Sequence, residues 1–505
     1  MYKKNNTVDS LLVTFIAFLP IVVYWVFREY FADRGLWFFY DHIEVLYYVS
    51  GIEIALGFSP TNVDNPGSLA QLSSALLIYF LGDDPSKYST FIYAAHALLL
   101  VLSFISTLIL IYYLSSNIDW KIRVASIWCF FSFSVSLTYL RVFGPEPFYY
   151  IVGLFAVCAL IFLSFNYERK ANISFLLFGG SIGALISVKF TFLAWLPGLY
   201  LLAVLSPRKL FSLQSIQNVF FATVGVFAAF LLITFKARES YSYMFGWIFR
   251  NVARDGSYGS GTTSLPDLSD ALLNWQTLFF SNKVWLCIFV FLIVSVAAPI
   301  VRNRLKSHKG EILVLTFILT SVLFTMLFVV RSYQHRYMLP IGLCGIALVL
   351  LLPRINIGGK LSWLVLVVFF TTLVKSMYND YSIHVKRVAS SNALLTNVGH
   401  LISDDSNKQG IANPLIVYGW RMPHPALSLR QHSVKGPNYI LDVDQLYPNA
   451  GHYTPWINGN TFRLPNTKKH WDYAILRPND LQTIKGINYN LVASIDGYEI
   501  IRADR

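Results

Sequence analysis

The chain has 505 residues, 55% hydrophobic and only 13% charged, where a soluble protein carries roughly 25% charged residues. A single soluble core stops growing at about 250–300 residues, so this composition excludes a soluble globular enzyme and makes lipid the solvent. The net charge of +13 does not point to nucleic acid, because Lys and Arg gather in short segments between apolar runs, the pattern that sets membrane orientation. All four cysteines, Cys129, Cys158, Cys287 and Cys344, fall inside apolar runs, leaving no disulfide framework and no zinc-ligand spacing.

The first apolar run, 11–31, follows Met1-Tyr2-Lys3-Lys4. It is too long for a signal-peptide core and lacks a small-residue cleavage site, so it reads as a retained span. Further runs occupy 89–115, 121–140, 147–165, 173–205, 216–235, 283–301, 312–330, 337–352 and 361–377. The 173–205 run is too long for one crossing, holds Lys189 at its middle, and is flanked by Glu168-Arg169-Lys170 and Arg208-Lys209. It reads as two short crossings that turn near Lys189, which brings the total to about eleven spans. With Lys3 and Lys4 inside, the inner loops hold Lys121 and Arg123, then Arg169 and Lys170, then Arg208 and Lys209. Arg302, Arg304, Lys306 and Lys309 follow, and finally Arg354 and Lys360. Every inner loop is then basic. The outer side receives 32–88, the turn 141–146, 236–282, the turn 331–336 and everything after 378.

Residues 1–377 are therefore expected to form a membrane domain, and 378–505 a soluble α/β domain on the outer side. Ser390 to Ile402 has helical spacing, while 415–418, 473–476 and 498–501 read as strands, with a turn at Asp496-Gly497. No internal repeat of fixed period is present. The predicted outer regions contain no Asn-x-Ser/Thr acceptor, which favours a bacterial inner membrane with the C-terminal domain in the periplasm.

Charges that depart from this pattern carry the functional information. Asp33, Asp41, Glu44, Glu53 and Asp64 crowd the first outer segment. Asp41 and Glu44 would share a helical face, set among Trp37, Phe38, Phe39, Tyr40, Tyr47 and Tyr48. Acids held in an apolar interfacial cleft have raised pKa values and suit general-base work. The outer side also holds cations: Arg331 and Arg336 with His335 between them, Lys189, Arg141, and Lys236, Arg238, Arg250 and Arg254. Basic outer turns oppose the orientation rule, and a lipid phosphate at the outer surface would offset them. From Asn65-Pro66-Gly67-Ser68 to Leu81-Gly82, apolar Leu69, Leu72, Leu76 and Phe80 face away from Ser68, Gln71, Ser73 and Ser74. This spacing predicts an amphipathic helix lying in the interface, ended by Gly82-Asp83-Asp84-Pro85.

The order of these features resembles the GT-C superfamily of integral membrane glycosyltransferases, in the branch of the protein O-mannosyltransferases and aminoarabinose transferases. Asp41-His42-Ile43-Glu44 is similar to that branch's acidic motif, and 65–82 to its Pro-containing interfacial helix. Arg141-Val142-Phe143-Gly144-Pro145-Glu146-Pro147 resembles its acid-bearing turn between the third and fourth spans. Gly183 through Thr191 resembles its Lys-bearing fifth-span end, and Arg336-Tyr337-Met338-Leu339-Pro340 its late Arg-Tyr-x-x-Pro turn. The likeness covers roughly 10–377. The family usually has Asp-Glu adjacent, whereas Asp41 is followed by His42, so the general base is divided between Asp41 and Glu44.

The resemblance implies a GT-C-like fold and transfer of a sugar from a polyprenyl phosphate-linked donor to a hydroxyl of a glycan, lipid or protein acceptor on the outer face. Asp41 would act as the base of an inverting attack, with Glu146 in the same cavity. Lys189, Arg331, His335 and Arg336 would bind the leaving phosphate, and Tyr40, His42, Arg141, Arg250 and Arg254 would line the donor and acceptor cavity. A monophosphate leaving group needs no obligatory cofactor, and no metal is expected. Membrane lipids are the other partners, and nucleic acid is not one. A polymerase or ligase using a diphosphate-linked donor would instead bring a metal to Asp41 and Glu146. A lipid-linked sugar flippase would show a repeat and ionisable groups at the midplane, whereas these groups lie at span ends.

Overall fold

The computed structural model describes residues 7–31, 42–60, 67–114, 118–133, 136–137, 143–166, 170–207, 212–246, 268–302, 309–329, 335–355, 359–419, 439–454, 461–465, 470–481 and 488–504. Among these, seven helices are long and apolar enough to cross a membrane: Thr7–Val26, Pro85–Leu114, Pro145–Ser164, Ala171–Val188, Leu213–Gly246, Lys309–Leu327 and Ser362–Gln409. Shorter apolar helices cover Phe190–Leu205, Lys283–Ala297 and Leu339–Leu351. The 121–140 run is helical over Trp120–Ser132. Each apolar run of the sequence thus coincides with a helix, and the chain is an integral membrane protein. Leu232, Leu213, Ile216, Phe220 and Phe227 are all exposed on the helix from Leu213 to Thr234, as a lipid-facing surface requires.

The chain divides into two compact units: Met1–Trp25, Asn62–Ala70 and His96–Asp380 form the first, and Val26–Thr61, Gln71–Ala95 and Tyr381–Arg505 the second. The first is a helical bundle. Without a hydrophobic drive between helices in lipid, small residues and side-chain-to-backbone hydrogen bonds hold such bundles together. Gly179 and Gly183 lie against the backbone of the 213–234 helix, where an added Cβ would stand 2.2 Å from the carbonyl oxygens of Ala222 and Val226 respectively. Gly225 returns the contact, 2.3 Å from the carbonyl oxygen of Leu176. Elsewhere Trp128 Nε1 donates to the Ala17 carbonyl at 2.9 Å, and Trp285 Nε1 to that of Cys129 at 3.0 Å. Ser132 donates to Phe369 O and Ser376 to Ser132 O, each at 2.9 Å. Arg123, buried on the 120–132 helix, pairs with Asp9 at 3.1 Å.

The long 173–205 run breaks where its charge sits. The Ala171–Val188 helix ends at Lys189, which is extended at φ −160° and ψ 138°. A 3-10 turn, Phe190–Trp195, follows, and the next helix starts at Leu196-Pro197, proline being at home in a first helical turn.

In the second unit the first acidic segment is largely helical, His42–Ala55. Tyr48 packs on Tyr88 and Phe91 at centroid distances of 5.0 and 4.8 Å, and donates to the Asp84 carbonyl. The helix from Ser68 to Leu81 buries Ser68, Gln71 and Ser74 and exposes Leu76, Tyr79 and Phe80. Its polar face is the inner one, the reverse of a soluble amphipathic helix and the arrangement lipid contact favours. Gly82, at φ +88°, ends it in the left-handed conformation, and Lys87 Nζ donates to the Leu81 carbonyl at 2.8 Å.

The C-terminal residues of this unit form a six-stranded sheet with strands β1 (Ile416–Tyr418), β2 (Ala450–Thr454), β3 (Thr461–Arg463), β4 (Tyr473–Leu476), β5 (Tyr489–Ile495) and β6 (Tyr498–Ala503), ordered β3-β2-β1-β4-β6-β5. β1 runs parallel to β2 and β4, and the other pairings are antiparallel. The Gly359–Gln409 helix continues beyond its apolar part, and Leu394, Val398 and Ile402, at i, i+4 and i+8, pack on Tyr473, Ile475, Tyr498 and Ile500. Leu415, Val417, Ala474, Leu476 and Ile501 make a second core with Trp471 and Tyr453.

Asp405 clasps this helix to the sheet. It accepts hydrogen bonds from Tyr473 Oη at 2.8 Å and Arg502 Nη1 at 2.6 Å. Burial first, and the bond to Asp405 second, push the Tyr473 phenol up to about 12 from 10.0. The sign follows from a raised folded-state pKa: this contribution is complete below pH 10 and is lost as pH rises through about 12. Asp405→Ala should destabilise the sheet unit by about 1–3 kcal/mol by orphaning both donors, read as faster amide exchange in β4 and β6.

Candidate functional site

Two charges that lie far apart in sequence meet inside the first unit. The helix that begins at Pro145 carries Glu146 in its first turn. The helix that ends at Val188 delivers Lys189 as its C-terminal cap. Lys189 Nζ stands 2.9 Å from Glu146 Oε1, and each side chain is only 2% exposed. A charge at this depth is costly without a counter-charge, and each side chain supplies one to the other. The ammonium also lies 4.8 Å from the centroid of the Tyr337 ring and 5.9 Å from that of Tyr149. Tyr149 is one turn beyond Glu146, and Tyr337 sits in the 3-10 segment His335–Met338.

Packing fixes the pair from behind. Tyr149 stacks edge-on to Phe192 at 5.1 Å, Phe192 to Trp195 at 5.2 Å and Trp195 to Phe317 at 5.3 Å. Gly67 N–H donates to the Val188 carbonyl at 3.0 Å, tying Gly67 to the helix end that presents Lys189. Gly67 holds φ +50°, where a side chain would be strained.

Of the residues expected from sequence, Glu146 and Lys189 are therefore brought together. Glu44 belongs to the second unit, buried in the first turn of the His42–Ala55 helix. Glu53, on the same helix, is fully buried as well. His42 begins that helix and His335 and Arg336 fall in the 335–338 segment, but their side chains lie outside the description. Asp41, Tyr40, Arg141, Arg250, Arg254 and Arg331 lie outside the described residues. The two rings around Lys189 were not singled out from sequence. Their signals were the Glu146-x-x-Tyr149 spacing on a first turn and Tyr337 inside the Arg-Tyr-x-x-Pro turn. Among the described residues no group of three or more His, Cys, Asp or Glu could hold a metal ion.

No protein-family model matches the chain, and no curated protein matches it by sequence. Solved structures similar to it include two of one protein. ArnT from Cupriavidus metallidurans bound to undecaprenyl phosphate has a TM-score of 0.51 and 11% identity, over 96% of this chain and 98% of that one. The same protein in the apo state gives 0.52 and 12%, with equal coverage. At that identity the likeness is one of architecture, and it runs through the membrane helices and the C-terminal sheet alike. The chain shares the fold of ArnT.

Proposed function

We propose that the chain is an integral membrane glycosyltransferase that moves a sugar from a polyprenyl phosphate-linked donor to a hydroxyl of a glycan, lipid or protein acceptor. The reaction takes place on the outer face of a bacterial inner membrane, with the C-terminal sheet unit in the periplasm. The observation that carries this reading is Lys189, a buried ammonium held at the end of a membrane helix. Its support is the shared fold with ArnT, which was solved with undecaprenyl phosphate bound.

The phosphate of the donor binds Lys189, joined by Arg331, His335 and Arg336. Asp41, with Glu44 as the other candidate, takes the proton of the acceptor hydroxyl. The oxygen then attacks the anomeric carbon from the face opposite the phosphate, with inversion. The bond from that carbon to the phosphate oxygen breaks, and its electron pair leaves with the polyprenyl phosphate. Cations around the departing oxygen stabilise the charge as it develops, an effect that lowers barriers most in a dry, preorganised site. Tyr40, His42, Arg141, Arg250 and Arg254 line the donor and acceptor cavity. No obligatory cofactor takes part, so a chelator should leave transfer unchanged.

Asp41→Asn tests the base. The variant should insert and elute like the parent while transfer falls by about 10²–10⁴-fold, the usual range for removing a general base. Unchanged transfer in Asp41→Asn moves the role to Glu44, which Glu44→Gln then examines.

A further inference from the structure

We propose that the Lys189–Glu146 pair is an exchangeable latch: a phosphate monoester anion takes the place of Glu146 on the Lys189 ammonium, and the freed Glu146 carboxylate turns into the site. This rests on the reading of Lys189 as the phosphate ligand given above, and it adds an order of events and a role for Glu146.

In the ligand-free protein the two charges cancel at 2.9 Å, both 2% exposed. An arriving phosphate therefore meets an ammonium already paired with a carboxylate that repels it. Glu146 and the phosphate, two anions against the Lys189 ammonium in a water-poor site, repel strongly, so donor binding favours an exchange of partners on Lys189. The surroundings make that exchange inexpensive on both sides. Lys189 keeps the Tyr337 and Tyr149 rings at 4.8 and 5.9 Å, and a cation near an aromatic face is held by the ring quadrupole whatever its anion. It also caps the C-terminal end of the 171–188 helix, where the helix dipole favours positive charge. Glu146 in turn lies in the first turn of the Pro145–Asn166 helix, where unsatisfied backbone N–H groups and the opposite end of a dipole favour a carboxylate. Each partner thus has a second stabiliser of the correct sign at its own helix end. Donor binding therefore exposes an anion beside the phosphate-bound sugar, placed to accept a hydrogen bond from an acceptor hydroxyl. The latch keeps that carboxylate neutralised until a donor is present.

The test uses the full chain in lipid nanodiscs, with undecaprenyl phosphate as one probe and inorganic phosphate as the other. Glu146→Gln keeps the shape of the side chain but removes the competing charge, so undecaprenyl phosphate should bind about tenfold more tightly while transfer falls. Because this variant removes the Glu146 carboxylate from beside Lys189, a second pair of variants supports the test. Tyr337→Leu should bind the lipid phosphate several-fold more weakly, whereas Tyr337→Phe, which keeps the ring, should match the parent. If Glu146→Gln binds no more tightly than the parent while Lys189→Met has lost binding, the latch is wrong and the phosphate site stands. If Tyr337→Leu binds as well as Tyr337→Phe, the ring does not hold the ammonium and the latch fails. Tighter binding of inorganic phosphate alone supports the latch with free phosphate as its ligand and overturns the lipid reading. Full lipid-phosphate binding by Lys189→Met overturns both.

Discussion

Replacing Lys189 by Met is expected to slow the release of polyprenyl phosphate from a polyprenyl phosphate sugar by orders of magnitude, and to destabilise the protein at the same time. The two effects have different origins. Stability falls because Glu146, 2% exposed, loses the Lys189 counter-charge while it stays buried, a loss of about 3–5 kcal/mol in comparable pairs. Transfer falls because the leaving phosphate loses its buried cation, by about 10²–10³-fold if Lys189 acts as one preorganised stabiliser. The double variant Lys189→Met/Glu146→Gln separates them. With both charges gone it should recover most of the thermal stability in detergent and none of the transfer. Recovery of both would make the pair purely structural.

The second large effect lies in the packing behind the site. Gly183→Leu should prevent the 171–188 helix from seating on the 213–234 helix, because even a Cβ would stand 2.2 Å from the Val226 carbonyl oxygen. Overpacking of ordinary cores costs about 1–3 kcal/mol, and here the obstacle is backbone, which has no rotamer to yield. The loss should exceed that range and appear as aggregation during detergent extraction. Gly180 supplies the control. Among the described residues its added Cβ would meet the Gly225 carbonyl alone, at 3.8 Å, so Gly180→Ala should behave like the parent. The same substitutions bear on function, since the helix that Gly179 and Gly183 seat is the one that ends at Lys189.

Much of this architecture was legible in the residues. Apolar runs marked the helices because lipid imposes length and composition on a span more strictly than a soluble core does. The break of the 173–205 run at Lys189 was legible from charge alone. Strands β1, β4 and β6 were visible as short runs of Ile, Val, Tyr and Leu, since they lie centrally in the sheet and bury those side chains. β5 was missed for the opposite physical reason: it is an edge strand, and Tyr489, Asn490 and Leu491 are exposed, so no burial pattern betrays it. β2 and β3 were missed because the stretches Ala450–Thr454 and Thr461–Arg463 are short and polar. The second half of the long C-terminal helix was recognised from the helical spacing of Ser390 to Ile402, but not its continuity with the apolar half.

At the site, charge parity pointed to Lys189 as a cation that defies the orientation rule, while Glu146 was reached separately, through the resemblance of the 141–147 stretch to an acid-bearing turn. That they neutralise one another was not legible, because pairing depends on which helix ends meet, and no spacing links positions 146 and 189. The inward polar face of the 68–81 helix was likewise hidden. Amphipathic spacing identifies two faces but not which of them meets lipid.

The central claim is that Lys189 serves a phosphate-linked sugar donor. Its most direct test incubates the purified protein with radiolabelled polyprenyl phosphate sugars and follows released polyprenyl phosphate, with the stabilised double variant Lys189→Met/Glu146→Gln alongside. Release by the parent protein and none by the folded double variant is the predicted result. Equal release by both, or none by the parent with any donor while it stays folded, would contradict it.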